Sequence, residues 1–87
     1  MSLTLDQLPF GTAATVAAVA WHTLTATEAR KLRNLGLDDG VSIELLHAAP
    51  FGSDPLAIRI GRMMVAVRRA HARAIAVEPE ALQLAAE

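Results

Sequence analysis

"VSIELLHAAPFGSDPLAIRIGRMMVAV", Val41 to Val67, carries three runs in which apolar side chains fall on every second residue. Val41, Ile43 and Leu45 alternate with Ser42, Glu44 and Leu46; Leu56, Ile58 and Ile60 repeat the period, and Met63, Val65 and Val67 repeat it again. A period of two sets alternate side chains on one face of an extended chain, so each run reads as a half-buried strand. Gly61-Arg62 leaves two residues between the second and third runs, the length of a tight hairpin turn. Between the first and second runs, Pro50 and Pro55 forbid continuation of a central ladder while Gly52 and Asp54 supply turn geometry. The stretch therefore predicts an antiparallel meander with a rigid loop projecting from it, Phe51 at the tip. That ring reads either as contact area for a partner or as a lid on the end of the sheet.

Upstream, Thr25-Ala-Thr-Glu28 has capping-box spacing, in which the Thr25 oxygen accepts from a first-turn N–H and Glu28 reaches back to the cap. A helix of about three turns should follow. Ala29, Leu32 and Leu35 share one face, Arg30, Lys31, Arg33 and Asn34 point outward, and Gly36 sits where a left-handed C-terminal residue belongs. Asp38-Asp39-Gly40 reads as a turn into the first strand of the meander. Earlier still, Leu3-Thr4-Leu5 opens the chain, Leu8-Pro9-Phe10-Gly11 makes a turn, and Thr12 to Trp21 reads as a strand with small residues inside and room for a bulge.

Downstream, Ala70 to Ala74 suits one helical or 3-10 turn before a last strand from Ala74 to Val77, which Pro79 ends. Residues 79–87 form a tail with the composition of a frayed helical turn, leaving residues 1–78 as the domain. About five to six short strands and one short α-helix, in 87 residues, are too few for two well-covered sheets. A mainly β chain of this kind is expected to curl into a small SH3-like barrel that covers most of its own edges.

Composition narrows the function. A chain of 87 residues buries only about 60–65% of the surface its unfolded form exposes, so one economical core is all it supports. It contains no cysteine, which removes disulfides and thiolate metal sites and fits a reducing compartment. The formal charge of -1 does not suit a coat for an anionic polymer or membrane. The longest apolar run, Ala13 to Trp21, falls far short of the ~20 residues that span a bilayer. No basic n-region precedes it. A cytoplasmic location is the expectation.

The order of the signals resembles the ferrous-iron-transport protein A (FeoA) family. Its marks are Leu3 and Leu8-x-x-Gly11 at the start, Leu32-x-x-Leu35-Gly36-Leu37-x-x-Gly40-x-x-Ile43 in the middle, then Ala49-Pro50-x-Gly52-x-Asp54-Pro55 and Val67-Arg68-Arg69 with Ile75-x-Val77. The resemblance runs from about Leu3 to Glu78. It implies an SH3-like barrel in the bacterial cytoplasm that associates with FeoB, the membrane GTPase that moves ferrous iron, and it implies no catalytic residues and no cofactor. Ser53 stands as an extra residue inside a loop that usually reads Pro-x-Gly-Asp-Pro, and His71 takes a place that is often acidic.

Chemical motifs are sparse. His22, His47 and His71 show no His-x-His or His-x-x-x-His spacing, so a metal site would have to be assembled by the fold, for example from His47 with Glu44 or Asp54; no metal ligand is assigned. Met63 and Met64 should point to opposite faces, one into the core and one out. No serine, histidine and acid fall at a nucleophile's spacing, and no Gly-rich loop ends in Lys. Arg59, Arg62, Arg68, Arg69 and Arg73 accumulate with no acid among them. They read either as a patch for an acidic or phosphate-bearing partner, or as solvated strand faces with one Arg pairing with Glu44 or a terminal carbonyl.

The reading that follows is a non-enzymatic accessory protein docking on FeoB, with membrane contact only through that partner and no nucleic acid expected. The candidate partner surface combines the exposed side of the Thr25–Gly36 helix, the Phe51 loop and Arg68-Arg69, with Phe51, Arg68, Arg69, Arg30 and Arg33 as its candidate residues. The alternative is a small nucleic-acid-binding or metalloregulator-type SH3-like module. Phe10, Trp21 and Phe51 are the only aromatics, and none is interleaved with the arginines as a stacking platform requires.

Overall fold

The computed structural model describes residues 3–50 and 54–80. The strands β1 (Leu3–Thr4), β2 (Ala13–Val19), β3 (Ser42–Ala48), β4 (Leu56–Ile60), β5 (Met63–Val67) and β6 (Ile75–Pro79) form one antiparallel sheet in the order β1-β6-β2-β3-β4-β5. Helices α1 (Ala26–Asn34) and α2 (Arg69–Ala72) interrupt them, with 3-10 turns at Leu5–Gln7 and Trp21–Thr23. Phe51 and the tail beyond Glu80, including Leu82 and Leu84, lie outside the described residues.

The meander forms as its periodicity requires. Ile43 pairs with Ile60, Leu45 with Ile58, and Leu56 with Val67. All six of these side chains are buried. They meet Val16, Ile75 and Val77 from the rest of the sheet, Leu5 and Leu8 from the first 3-10 turn and its cap, and Leu32 and Leu37 from the α1 region in one core. No charged or polar residue is buried among the described residues, so this core rests on apolar burial, at about 25 cal/mol per Å² removed from water.

Two bulges set where the alternation breaks. In β2 the register against β6 moves from Val16–Val77 to Ala18–Ala76, so Ala17 has no partner of its own and the faces swap beyond it. Ala18, which the sequence pattern places inside with Ala14 and Val16, is exposed as a result. The same displacement in β3 lies between Leu45 and His47. Trp21, expected at the end of the second strand, opens a 3-10 turn instead.

The methionines depart from expectation as well. Met63 and Met64 are both exposed, at 49% and 70%. Alternation alone would bury Met63, but it is the first residue of an outer strand beside the Gly61-Arg62 turn.

Candidate functional site

Helix α1 is held at both ends. The Thr25 Oγ1 accepts a hydrogen bond from the Glu28 N–H at 3.1 Å, satisfying one of the donors left free at a helix start. At the other end, Gly36 has φ of 96°. Its N–H donates to the Arg33 carbonyl, and the Leu37 N–H donates to the Leu32 carbonyl, both at 3.0 Å. This is a Schellman closure, and the accompanying apolar contact is supplied by Leu32 and Leu37, both in the core.

The capping box predicted for Thr25 and Glu28 is half realised, because the Glu28 carboxylate turns to another element. Its Oε2 lies 2.9 Å from the Nε2 of His71 on α2. A groove of about 330 Å³ separates α1 from the corner where β5 enters α2. Leu32, Leu35 and Val67 give it apolar lining, the Glu28–His71 pair bridges it, and Lys31 and Arg68 bring a cation from each side.

The start of α2 is tied to the loop between β3 and β4. Arg69 is the first residue of the helix, and its N–H donates to Asp54 Oδ1 at 3.0 Å. A carboxylate at the first turn of a helix meets an unsatisfied donor and the positive end of the backbone dipole together. Asp54 thus acts on a helix fifteen residues away in sequence, a role that neither its turn signal nor a notional site with His47 foretells.

The predicted partner residues separate. Arg68 is exposed and lines the groove, while Arg69 is half-buried beside it. Arg30 is exposed on α1 and lines neither of the two depressions described here. Arg33 is drawn the other way, its guanidinium 4.3 Å from the centre of the Trp21 ring, an attraction between cation and aromatic face. Together with Gly36, Leu37, Asp38 and Val41 these two line a second, more polar depression of about 510 Å³.

The run of arginines is not one patch. Arg59 donates to the Gly61 carbonyl at 2.6 Å and to Glu44 at 3.2 Å, which makes it the arginine expected to pair with Glu44. Arg73 Nε lies 3.7 Å from Asp6 Oδ2. Asp38 and Asp39 serve the turn: the Asp39 N–H donates to Asp38 Oδ1 at 2.8 Å, and the Val41 N–H to the Asp38 carbonyl at 3.2 Å. Among the described residues no three His, Asp or Glu side chains converge as a metal site.

Lys31 lies on the helix side expected to meet a partner, whereas Glu28, Leu35 and His71 are groove members that sequence reasoning missed. His71 stood out only as a departure after Arg68-Arg69, and nothing local links it to a glutamate on α1.

A FeoA domain model matches residues 3–79. The chain belongs to the FeoA family. A solution structure of FeoA protein from Chlorobium tepidum superposes with a TM-score of 0.78 at 31% identity, over 88% of this chain and 70% of that one. FeoA of Stenotrophomonas maltophilia, solved in complex with zinc, gives 0.71 at 33% identity, over 87% and 89%. That protein is described as a prokaryotic SH3 domain protein and put forward as a bacterial ferrous iron transport activating factor. The open antiparallel sheet with its α1 insertion is thus an SH3-like FeoA fold. A manganese-dependent transcriptional repressor also superposes, with a TM-score of 0.75 at 19% identity over 36% of its own length, a likeness of fold alone. No curated protein sequence matches the chain.

Proposed function

We propose that this chain is a non-enzymatic accessory protein of bacterial ferrous iron uptake, working in the cytoplasm, that docks on the membrane GTPase FeoB and biases its nucleotide-driven cycle. The observation that carries the reading is the FeoA-domain match, which takes in every described strand from Leu3 in β1 to Pro79 in β6. The description of the S. maltophilia relative as a transport-activating factor supports it. So does the groove between α1 and α2, whose apolar lining and flanking Lys31 and Arg68 suit a protein surface with an apolar anchor and acidic neighbours.

An accessory protein of this kind changes transport only if it binds one state of the transporter more tightly than another. A tenfold shift between two states requires about 1.4 kcal/mol of differential affinity. The purified chain is expected to co-elute with full-length FeoB in detergent, and to do so differently with and without a non-hydrolysable GTP analogue. Retention of a control RNA pool with no binding to FeoB would move the reading to a nucleic-acid or metalloregulator-type module.

A further inference from the structure

Strand β5 pairs with β4 from Leu56–Val67 to Ile60–Met63 and has no second neighbour among the described residues. The two-residue turn makes Ile60 and Met63 a hydrogen-bonded pair, and with them Ile58–Val65 and Leu56–Val67. The backbone N–H and C=O groups of Met64 and Ala66 therefore point away from β4, into the open edge. Both residues are exposed, Met64 by 70%.

Natural edge strands are blunted by charge, proline, a bulge or brevity, because a row of free donors and acceptors invites another chain. The other outer strand, β1, is two residues long. In β5 none of these devices is present: Met63-Met64-Val65-Ala66-Val67 has no charge and no proline, and its register against β4 is unbroken. Charge appears only at its two ends, on exposed Arg62 and Arg68. Arg68 continues the extended backbone at φ -67°, ψ 147°.

Those two ends decide what fits. A second copy pairing symmetrically over the whole strand would be centred on Val65, with Met64 opposite Ala66 of the other copy and Arg62 opposite its Arg68. Like charges facing each other across both ends oppose that arrangement. A segment carrying carboxylates at the same two positions turns both repulsions into attractions, and its inner face meets Met63, Val65 and Val67.

We propose that β5 is a docking strand, to which an extended segment of a partner protein adds as a seventh strand, apolar at its centre and acidic at its two ends, the acids six positions apart. The segment's exit at Arg68 leads into the α1–α2 groove, which Ala66 and Val67 also line. The proposal rests on the accessory role above only for which protein carries the segment.

The test uses the full chain, labelled with nitrogen-15, and a capped seven-residue peptide with glutamate at both ends, valine at the second, fourth and sixth positions and threonine between. The expected result is slowed exchange of the Met64 and Ala66 amides on binding. The double variant R62E/R68E should weaken binding roughly tenfold, and a lysine-ended peptide should recover it. The proposal is overturned by no binding of either peptide, by perturbations confined to α1 and the groove, or by a dimer of the chain whose Met64 and Ala66 amides are already protected. Co-elution of R62E/R68E with FeoB at full strength would reject the docking strand while leaving the accessory role standing; loss of FeoB binding by the unaltered chain, with the peptide still bound, would do the reverse.

Discussion

Glu28 Oε2 and His71 Nε2 stand 2.9 Å apart and join α1 to α2 across the groove, although local sequence places each in a different structural story. Glu28 belongs to a helix start and His71 to a basic turn.

The Glu28 and His71 side chains are 36% and 23% exposed, so solvent screens their attraction. A double-mutant cycle of Glu28→Gln and His71→Ala is expected to give a coupling of about 0.5–1 kcal/mol at most. His71→Ala alone should lower the melting temperature by only a few degrees. A coupling several times larger would mean that the pair is desolvated in solution.

Gly36 tests the helix end. Its φ of 96° lies where side chains with a Cβ are disfavoured, yet a Cβ built there meets nothing within 4 Å. The cost of substitution is therefore backbone strain without a clash. Gly36→Ala should lose about 1–2 kcal/mol in a denaturant titration, and Gly36→Asn less, because asparagine tolerates this region better. An unchanged midpoint for the alanine variant would refute the Schellman closure.

At the helix start, Thr25→Ala removes the acceptor for the Glu28 N–H and should cost about 1 kcal/mol. Thr25→Ser, which keeps the hydroxyl, should restore most of it. Equal losses from both would show that the cap contributes nothing.

Ile58 is fully buried in β4 between its partners Leu45 and Val65. Ile58→Val should cost about 0.5–1.5 kcal/mol and Ile58→Ala about 2–5 kcal/mol. For a domain of this size the larger loss approaches the whole stability, so Ile58→Ala is expected to be largely unfolded near 37 °C by circular dichroism.

Lys31 is exposed and flanks the groove. Lys31→Glu should leave the melting temperature within about 1–2 °C of the unaltered chain, as surface substitutions do, while weakening co-elution with FeoB. Full binding by this variant would remove the groove from the docking surface.

Much of this architecture was legible because its causes are local. Alternation finds β3, β4 and β5, and the Thr25 and Gly36 signals bound α1; an arginine partner for Glu44 is expected, and the ladder that sets Arg59 opposite it decides which one. What escaped depended on partners brought together only by the fold. The β2 bulge turned Ala18 outward, a 3-10 turn took Trp21 out of its strand, and the outer position of β5 exposed Met63. The site is legible in part: Arg68 shares a groove with Lys31 from the exposed side of α1, whereas Arg33 is claimed by Trp21 and Arg30 stands apart.

The place of β6 has a consequence for how the molecule comes into being. It lies between β1 and β2, pairing Val77 with both Leu3 and Val16. As the chain leaves the ribosome, β1 has no neighbour to join, and the inner residues Leu5 and Val16 lack the buried face of Ile75 and Val77 until β6 is made. The meander of β3, β4 and β5 can zip as it emerges; the other half must wait. Native structure in this half is thus gained only after about seventy residues of intervening chain are made, through contacts of long sequence separation that close slowly.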